Sequence, residues 1–457
     1  MHRLFLSLCL GIALALAGFG PAGAESLTLE QAQQKAMVAN RSLLQAQARE
    51  RASVYGVTEA VGHILPTVTV SEIYLRSNDP VTAFGTDLAQ GTFSLQEFSQ
   101  SDPNEPDIAE DYITRIEGTQ PIFTGGKVLT GLYQASENRK AAVAGLSAAE
   151  IDTLGAVEEA YVNALRARAF VDFTTQLIAA LERHARTAQD QFDTGRVLES
   201  EVLQAQVHLG KARVGQVEAQ SQYELALARL NYLIGEAQDR PWELSDPTAA
   251  ECSMPSLDDM IGRALTEHPQ LIAADHRTNA AKARTVMAAT SFVPTLGVQA
   301  TYNFHDEEDL FGDQAEDWTV MVAARWNIFN GFKDVSRTAA ARRNAAAAEL
   351  ALDDHREQFA LGVRQNYRAL STSAQKLNVA DAARERAERH RTIMSNRYEQ
   401  GLVPIATLLD AQTDLVEATT NALNARYDHI LAERMLLHSV GARTCADLAD
   451  TTETKGE

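Results

Sequence analysis

"WTVMVAARWNIF", residues 318–329, alternates along its length. In an extended chain Trp318, Val320, Val322, Ala324, Trp326 and Ile328 share one side, and Thr319, Arg325 and Asn327 share the other. Strand side chains alternate between two faces, so the period predicts a strand with one apolar and one polar face. The run before it, "PTLGVQATYNF", residues 294–304, sets Leu296, Val298, Ala300, Tyr302 and Phe304 against Thr295, Gly297, Gln299, Thr301 and Asn303. Aromatic residues stand near the ends of the apolar faces. Roughly ten residues with apolar-out, polar-in alternation and aromatic ends is the pattern of a tilted strand in a membrane barrel. The candidate lipid-facing residues are Leu296, Val298, Tyr302, Phe304, Trp318, Val320, Val322 and Trp326.

Both runs have a weaker copy upstream. "PTVTVSEIYLR", residues 66–76, alternates loosely, and "DYITRIEGTQPIF", residues 111–123, carries Arg115 and Glu117. The correspondence is not local to the strands. Ile122-Phe123 aligns with Ile328-Phe329, Tyr161 with Tyr367, Gly195 with Gly401 and Gly235 with Gly441, all at an offset of 206 residues. Upstream the offset becomes 228, aligning Leu29 with Leu257 and Pro66 with Pro294, so the first copy holds 22 extra residues between Pro66 and Pro121. The chain reads as two tandem copies, 25–235 and 257–441, joined by 236–256 and followed by a tail, 442–457. Two long copies are a duplication, since a solenoid stacks three or more short repeats.

Each copy has one plan. A helix-like run comes first, 28–63 or 257–291, with Thr28-x-x-Gln31 as a cap for the first and Pro66 or Pro294 beyond its end. Two strands follow. Then comes a proline-free helical run, 124–191 or 331–400, rich in Ala, Glu, Arg and Gln. A glycine turn leads into a last helix, 198–234 or 405–440, closed by Gly235 or Gly441. At about 1.5 Å per residue the longest runs span ~100 Å, close to two short runs set end to end. Helices of that length need lateral partners. The pattern fits a cylinder wall, and equally an elongated coiled coil without a channel; the strands favour the wall.

The start of the chain reads as a leader. "MHRLFLSLCLGIALALAGFGPAGA" has a basic start at Arg3, a short apolar run and a small-residue end, which predicts a secretory signal peptide over residues 1–24. No later run is long and apolar enough for a spanning helix. The formal net charge of −20 makes nucleic acid a poor partner. Cys252 and Cys445 remain after processing, and an oxidising compartment permits a disulfide between them. Four strands do not close a barrel, for which about eight are needed. Open edges in lipid leave backbone groups unsatisfied, so a membrane barrel here requires several chains.

Taken in order, these features resemble the TolC family of outer-membrane efflux ducts. The resemblance covers nearly the whole mature chain. It rests on the leader, the duplicated plan and the turns "FDTGRV" and "YEQGLV". It rests also on the helix ends "LNYLIG" and "LLHSVG" and the bends "QPIFTGG" and "WNIFNGF". The family implies a mainly α protein: a coiled-coil helical barrel through the periplasm, continuous with a twelve-stranded outer-membrane β-barrel to which each protomer of a homotrimer gives four strands. It implies a mixed equatorial belt, to which 236–256 and 442–457 would belong. The implied partners are a periplasmic adaptor (membrane fusion) protein, an inner-membrane pump of RND or ABC type, and outer-membrane lipid. The implied function is passive conduction of whatever the pump delivers.

On that resemblance the turns are the periplasmic tips of two helical hairpins, and Gly195, Arg196, Val197, Gly401, Leu402 and Val403 are candidate adaptor contacts. Family members narrow at the tip, often with acidic rings after the second turn. Asp410 matches one such position, Thr407 stands where a second acid is common, and Glu201 is the acidic counterpart in the first copy. Three copies of a carboxylate on an axis would favour cations. The stretch "HDEEDLFGDQAED", 305–317, has seven acidic residues but not the spacing of a calcium loop; it reads as a solvated outer loop, like 77–110. No catalytic signature, metal-ligand spacing or cofactor motif is found, and His184, His208, His390 and His429 are scattered over helices. The alternative is a soluble periplasmic coiled-coil adaptor or spacer without a channel.

Overall fold

A computed structural model describes residues 25–100, 102–246, 254–445 and 447–448. The expected leader, 1–24, and Cys252 lie outside the described residues. In chain order the elements begin with β1 (Glu25–Leu27), α1 (Leu29–Ala39), α2 (Arg41–Gly62), β2 (Thr67–Ser77), α3 (Pro80–Ala89) and α4 (Leu95–Gln100). Next are β3 (Ala109–Phe123), α5 (Lys127–Asp193), α6 (Glu199–Ile234), β4 (Trp242–Leu244), α7 (Leu257–Glu267) and α8 (Pro269–Ala289). The chain ends with β5 (Thr295–Asp306), β6 (Ala315–Arg325), α9 (Lys333–Glu399) and α10 (Ile405–Ser439). The long helices α5 and α9 hold 67 residues each, as their proline-free runs predict. Among the described residues no helix is long and apolar enough to cross a membrane.

The chain divides into two compact units. The first takes residues up to 48, 144–272 and 355 onward. It contains the parallel pair β1–β4, with Leu27 opposite Leu244. Tyr161 is fully buried against that pair, its hydroxyl 2.7 Å from the carbonyls of Leu27 and Ser245. Burial pushes this phenol up to about 12. Leu29, Ala32, Ala36, Val157, Leu165, Leu230, Ile234 and Trp242 pack around it.

The expected first helices, 28–63 and 257–291, are each two helices. The Thr28–Gln31 box caps α1 as predicted, with reciprocal bonds of 3.2 and 3.0 Å. At Asn40 the backbone turns extended (ψ 121°). The buried Asn40 side chain accepts from the N–H groups of Ser42 and Leu43 (2.9 and 3.1 Å) and donates to the Leu233 carbonyl (2.9 Å). It thus starts α2 and ties the break to α6. At the matching position in the second copy, His268 Nδ1 accepts from the Gln270 N–H (3.2 Å), and Pro269 disfavours helix at the residue before it.

α6 and α10 end at Gly235 and Gly441, with φ of 75° and 79°. A side chain on Gly235 would put Cβ 2.6 Å from that of Ala39, so both its dihedral and its closeness to the α1 end require glycine.

The second unit, 49–143 with 273–354, holds an antiparallel sheet in the order β2-β3-β5-β6. The strands lie near their predicted places, with two differences. β6 runs Ala315–Arg325 rather than 318–329, because the chain leaves the sheet before turning through Gly331 and Phe332 (φ 56° and 61°) into α9. The expected loop 77–110 contains α3 and α4. Asp79 caps α3 by accepting from Thr82 N–H (2.8 Å), and Pro80 stands at its first position.

Candidate functional site

The register of the sheet sorts its side chains. On one face Val298 lies opposite Val322, Ala300 opposite Val320 and Tyr302 opposite Trp318. The same face continues through Ile116 opposite Tyr302, and Val70 and Val68 opposite Ile116 and Gly118. Leu296 and Phe304 belong to it too. Trp318, Val320 and Val322 with Val68 and Val70 are 58–71% exposed in the single chain, so this face is apolar and uncovered. Aromatic rings gather at one end: Tyr74 and Tyr112 meet as a tilted pair with centroids 4.9 Å apart, and Tyr302 and Phe304 likewise at 5.0 Å. Trp326 lies one residue past β6 and donates its indole N–H to the Phe292 carbonyl (3.1 Å).

The other face is polar. Thr119 sits opposite Thr67 and Gln299, Glu117 opposite Thr69 and Thr301, and Arg115 opposite Ser71 and Asn303. Arg115 and Glu117, awkward in the sequence, both belong here. A hydrogen-bonded chain crosses this face. Arg115 Nε donates to Asn303 Oδ1 (2.9 Å), and Asn303 Nδ2 donates to Asp317 Oδ1 (3.0 Å). His305 then bridges two carboxylates, Nε2 to Asp317 Oδ2 at 2.9 Å and Nδ1 to Asp111 Oδ2 at 2.7 Å. Gln90, at the end of α3, donates to Asp111 Oδ1 (3.1 Å). Asp111, Gln90 and His305 are all buried. Part of the acidic stretch 305–317 is therefore built into the sheet, and the loop expected there shrinks to 307–314.

In the other unit the two glycine turns come together. Both long helices end in the same Schellman geometry. Gly195 and Gly401 each have φ 71°. Arg196 N–H bonds Gln191 carbonyl and Leu402 N–H bonds Arg397 carbonyl, at 2.8 and 2.9 Å. A shared core of Leu181, Ala188, Val202, Ala205, Tyr398, Ile405, Leu408 and Leu409 joins the ends of α5, α6, α9 and α10. Gln191 Nε2 donates to the Tyr398 carbonyl (3.4 Å) and Ile405 N–H to Glu201 Oε2 (3.3 Å), so the turns are cross-tied. Burial, and secondarily Glu201, pushes the Tyr398 phenol up to about 12.

Between the turns lies a groove of about 450 Å³, lined by Arg196, Val197, Glu201, Gly401, Leu402 and Val403 among others. Five of the six candidate contact residues line it; Gly195 is exposed beside it. Asp410 is exposed on α10, Thr407 and Glu201 are half-buried. Cys445 is disulfide-bonded; its expected partner, Cys252, lies outside the described residues.

The model of the outer membrane efflux protein family matches residues 32–236 and 260–442, which is most of the chain. The chain belongs to this family. It is an outer-membrane efflux channel with a periplasmic part, in a family of transport proteins rather than enzymes. Among its relatives, the alkaline protease secretion protein AprF of Pseudomonas aeruginosa is 23% identical over 369 residues, covering 77% of this chain and 74% of AprF. The outer membrane protein TolC of Escherichia coli is 22% identical over 449 residues, covering 96% and 86%. In fold the chain is similar to the Campylobacter jejuni CmeC outer membrane channel, with a TM-score of 0.78 over 93% of this chain and 88% of that one at 15% identity. It is also similar to VceC of Vibrio cholerae, with a TM-score of 0.76 over 91% and 96% at 17% identity.

The sequence reading missed three things at these sites: the His305 bridge, the helices between β2 and β3, and the Asn40 break. The Asp79-Pro80 pair signals the second and Pro269 the copy of the third. Nothing local signals the His305 bridge, whose partners are far apart in the chain.

Proposed function

We propose that the chain is the exit duct of a tripartite efflux or type I secretion system, working as a homotrimer. Three four-stranded sheets join edge to edge into a twelve-stranded barrel, with the apolar face toward lipid and the Arg115–Asp317 face toward the lumen. The observation that carries this is the sheet itself: an exposed apolar face and two edges, β2 and β6, that no strand pairs among the described residues. Water disfavours the face, and lipid forbids the edges unless another strand pairs with them. The two copies of the sequence plan, 25–235 and 257–441, then furnish alternate parts of the wall.

The turn groove receives a periplasmic adaptor, with Arg196, Val197, Leu402 and Val403 as contacts and Gly195 and Gly401 as the bends that present them. An inner-membrane pump supplies the cargo. Asp410, with Thr407 and Glu201 nearby in sequence or across the turn, forms the charged part of the entrance. No cofactor is required, since conduction is passive. The test is reconstitution into planar bilayers. The reading expects stable single-channel currents from purified protein; protein that inserts without conducting contradicts it.

A further inference from the structure

At the lower end of the sheet, where β6 stops and α9 and α5 begin, lies a groove of about 570 Å³. Lys127, Arg284, Arg325 and Arg337 line it, with Thr124 and Asn327 as neutral polar neighbours, and no carboxylate shares the lining. This is against the composition, in which 61 acidic residues outnumber 41 basic ones. Arg337 reaches the buried Asp334 at 3.4 Å. Among the described residues no carboxylate lies within ion-pair distance of Lys127, Arg284 or Arg325. Four cations gathered on one wall repel one another, and a bound anion relieves that repulsion.

The backbone adds to the effect. Lys127 opens α5, and its N–H donates to the Thr124 carbonyl (3.1 Å), while Thr124 Oγ1 accepts from Val128 N–H (3.3 Å). Those two amides are already bonded, so the backbone contributes through the helix dipole: the groove sits at the positive end of a 67-residue helix, where anions are favoured. The position of that end is fixed. Gly125 turns with φ 65°, and a Cβ there would lie 3.0 Å from Val293 Cβ and 3.1 Å from the Thr290 carbonyl. The volume falls within the ~300–1,000 Å³ range of small-molecule sites, ample for an organic phosphate.

We propose that this groove binds a phosphate-bearing anion, with the guanidinium groups of Arg284, Arg325 and Arg337 supplying the oxygen contacts and Lys127 a point charge. Two sources share that chemistry: a phospholipid headgroup of the surrounding membrane, and a phosphorylated solute inside the duct. Arg325 registers with Thr295 on the polar face of the sheet. If that face is the lumen, as proposed above, three copies form a basic girdle inside the barrel, and the solute is the occupant. The consequence for conduction rests on the trimeric reading; the binding does not.

The experiment uses the full mature chain in neutral detergent and the double variant Arg284→Gln/Arg325→Gln. Both substituted residues are exposed, so the variant should melt with the wild type. Inorganic pyrophosphate is titrated calorimetrically, at low salt and again at physiological salt. Saturable binding, weakened at least tenfold in the variant and weakened by salt, is expected. A second arm adds phosphatidylglycerol and counts retained lipid by native mass spectrometry. A third adds pyrophosphate to single channels in bilayers. Lipid retained by the wild type alone, with no effect of pyrophosphate on current, assigns the site to the membrane. Reduced current that the variant escapes assigns it to the lumen. Equal binding by both proteins, or saturable binding of neither pyrophosphate nor lipid, overturns the proposal even where channels conduct. Binding without any current leaves the site standing and contradicts the duct.

Discussion

Asp410 and His184 show how differently single charges act in this chain. Asp410 is exposed on α10, nine residues past the bend at Gly401. In the proposed trimer three such carboxylates stand at the entrance, where they would raise the local cation concentration. Asp410→Ala should therefore lower cation over anion selectivity, read as a smaller reversal potential in a salt gradient; an unchanged reversal potential removes Asp410 from the entrance. His184 is 8% exposed, its Nε2 has no partner, and burial, with Arg391 and Arg183 nearby, pulls its pKa down to about 4. The folded state then holds the ring neutral where the unfolded chain, near 6.5, begins to bind a proton. Stability is full above pH 6.5 and is lost as pH falls toward 4. At ~1.4 kcal/mol per unit the loss is on the order of 3 kcal/mol. His184→Leu should flatten this part of the melting-temperature profile, whereas a profile parallel to wild type would show that the ring is not the source.

At the scale of elements, two polar groups hold breaks and ends in place. Asn40→Ala removes the cap of α2 and leaves the Leu233 carbonyl without its donor, at a cost of ~2 kcal/mol; chemical denaturation should show it, and a loss under 0.5 kcal/mol would make the break indifferent to this side chain. His305→Ala leaves the buried Asp111 with Gln90 as its remaining side-chain partner. Faster hydrogen exchange at the start of β3 and in α3, with the far ends of the strands unchanged, is expected. Uniform change across the sheet would mean that the bridge serves global stability only.

These elements also mark what the sequence made legible. Long helices, glycine turns and strand positions follow from proline-free runs, glycines between helical runs and period-two patterns, all local; the order of the strands in the sheet does not, because β3 pairs with the distant β5. Arg115 and Glu117 looked like objections to a membrane strand because their face is decided by register against β2 and β5, distant in sequence. The same holds for Asp111, His305 and Asp317. The break at Asn40 was hidden because its reason, the Leu233 carbonyl, lies on another helix.

For the whole molecule the central claim is that one chain is an incomplete barrel. Among the described residues the sheet has four strands and two edges without a strand partner, and its apolar face is exposed. On the proposed assembly, further copies of the chain supply what is missing, and the family is one of outer-membrane proteins. The most direct test is the molar mass of the purified mature protein by detergent-corrected light scattering, preceded by asking whether it stays dispersed without detergent. The account predicts a detergent-dependent particle of three protein chains, each of at most 49.8 kDa. A monomer or dimer that is soluble without detergent would contradict it, because the four strands would then close no barrel.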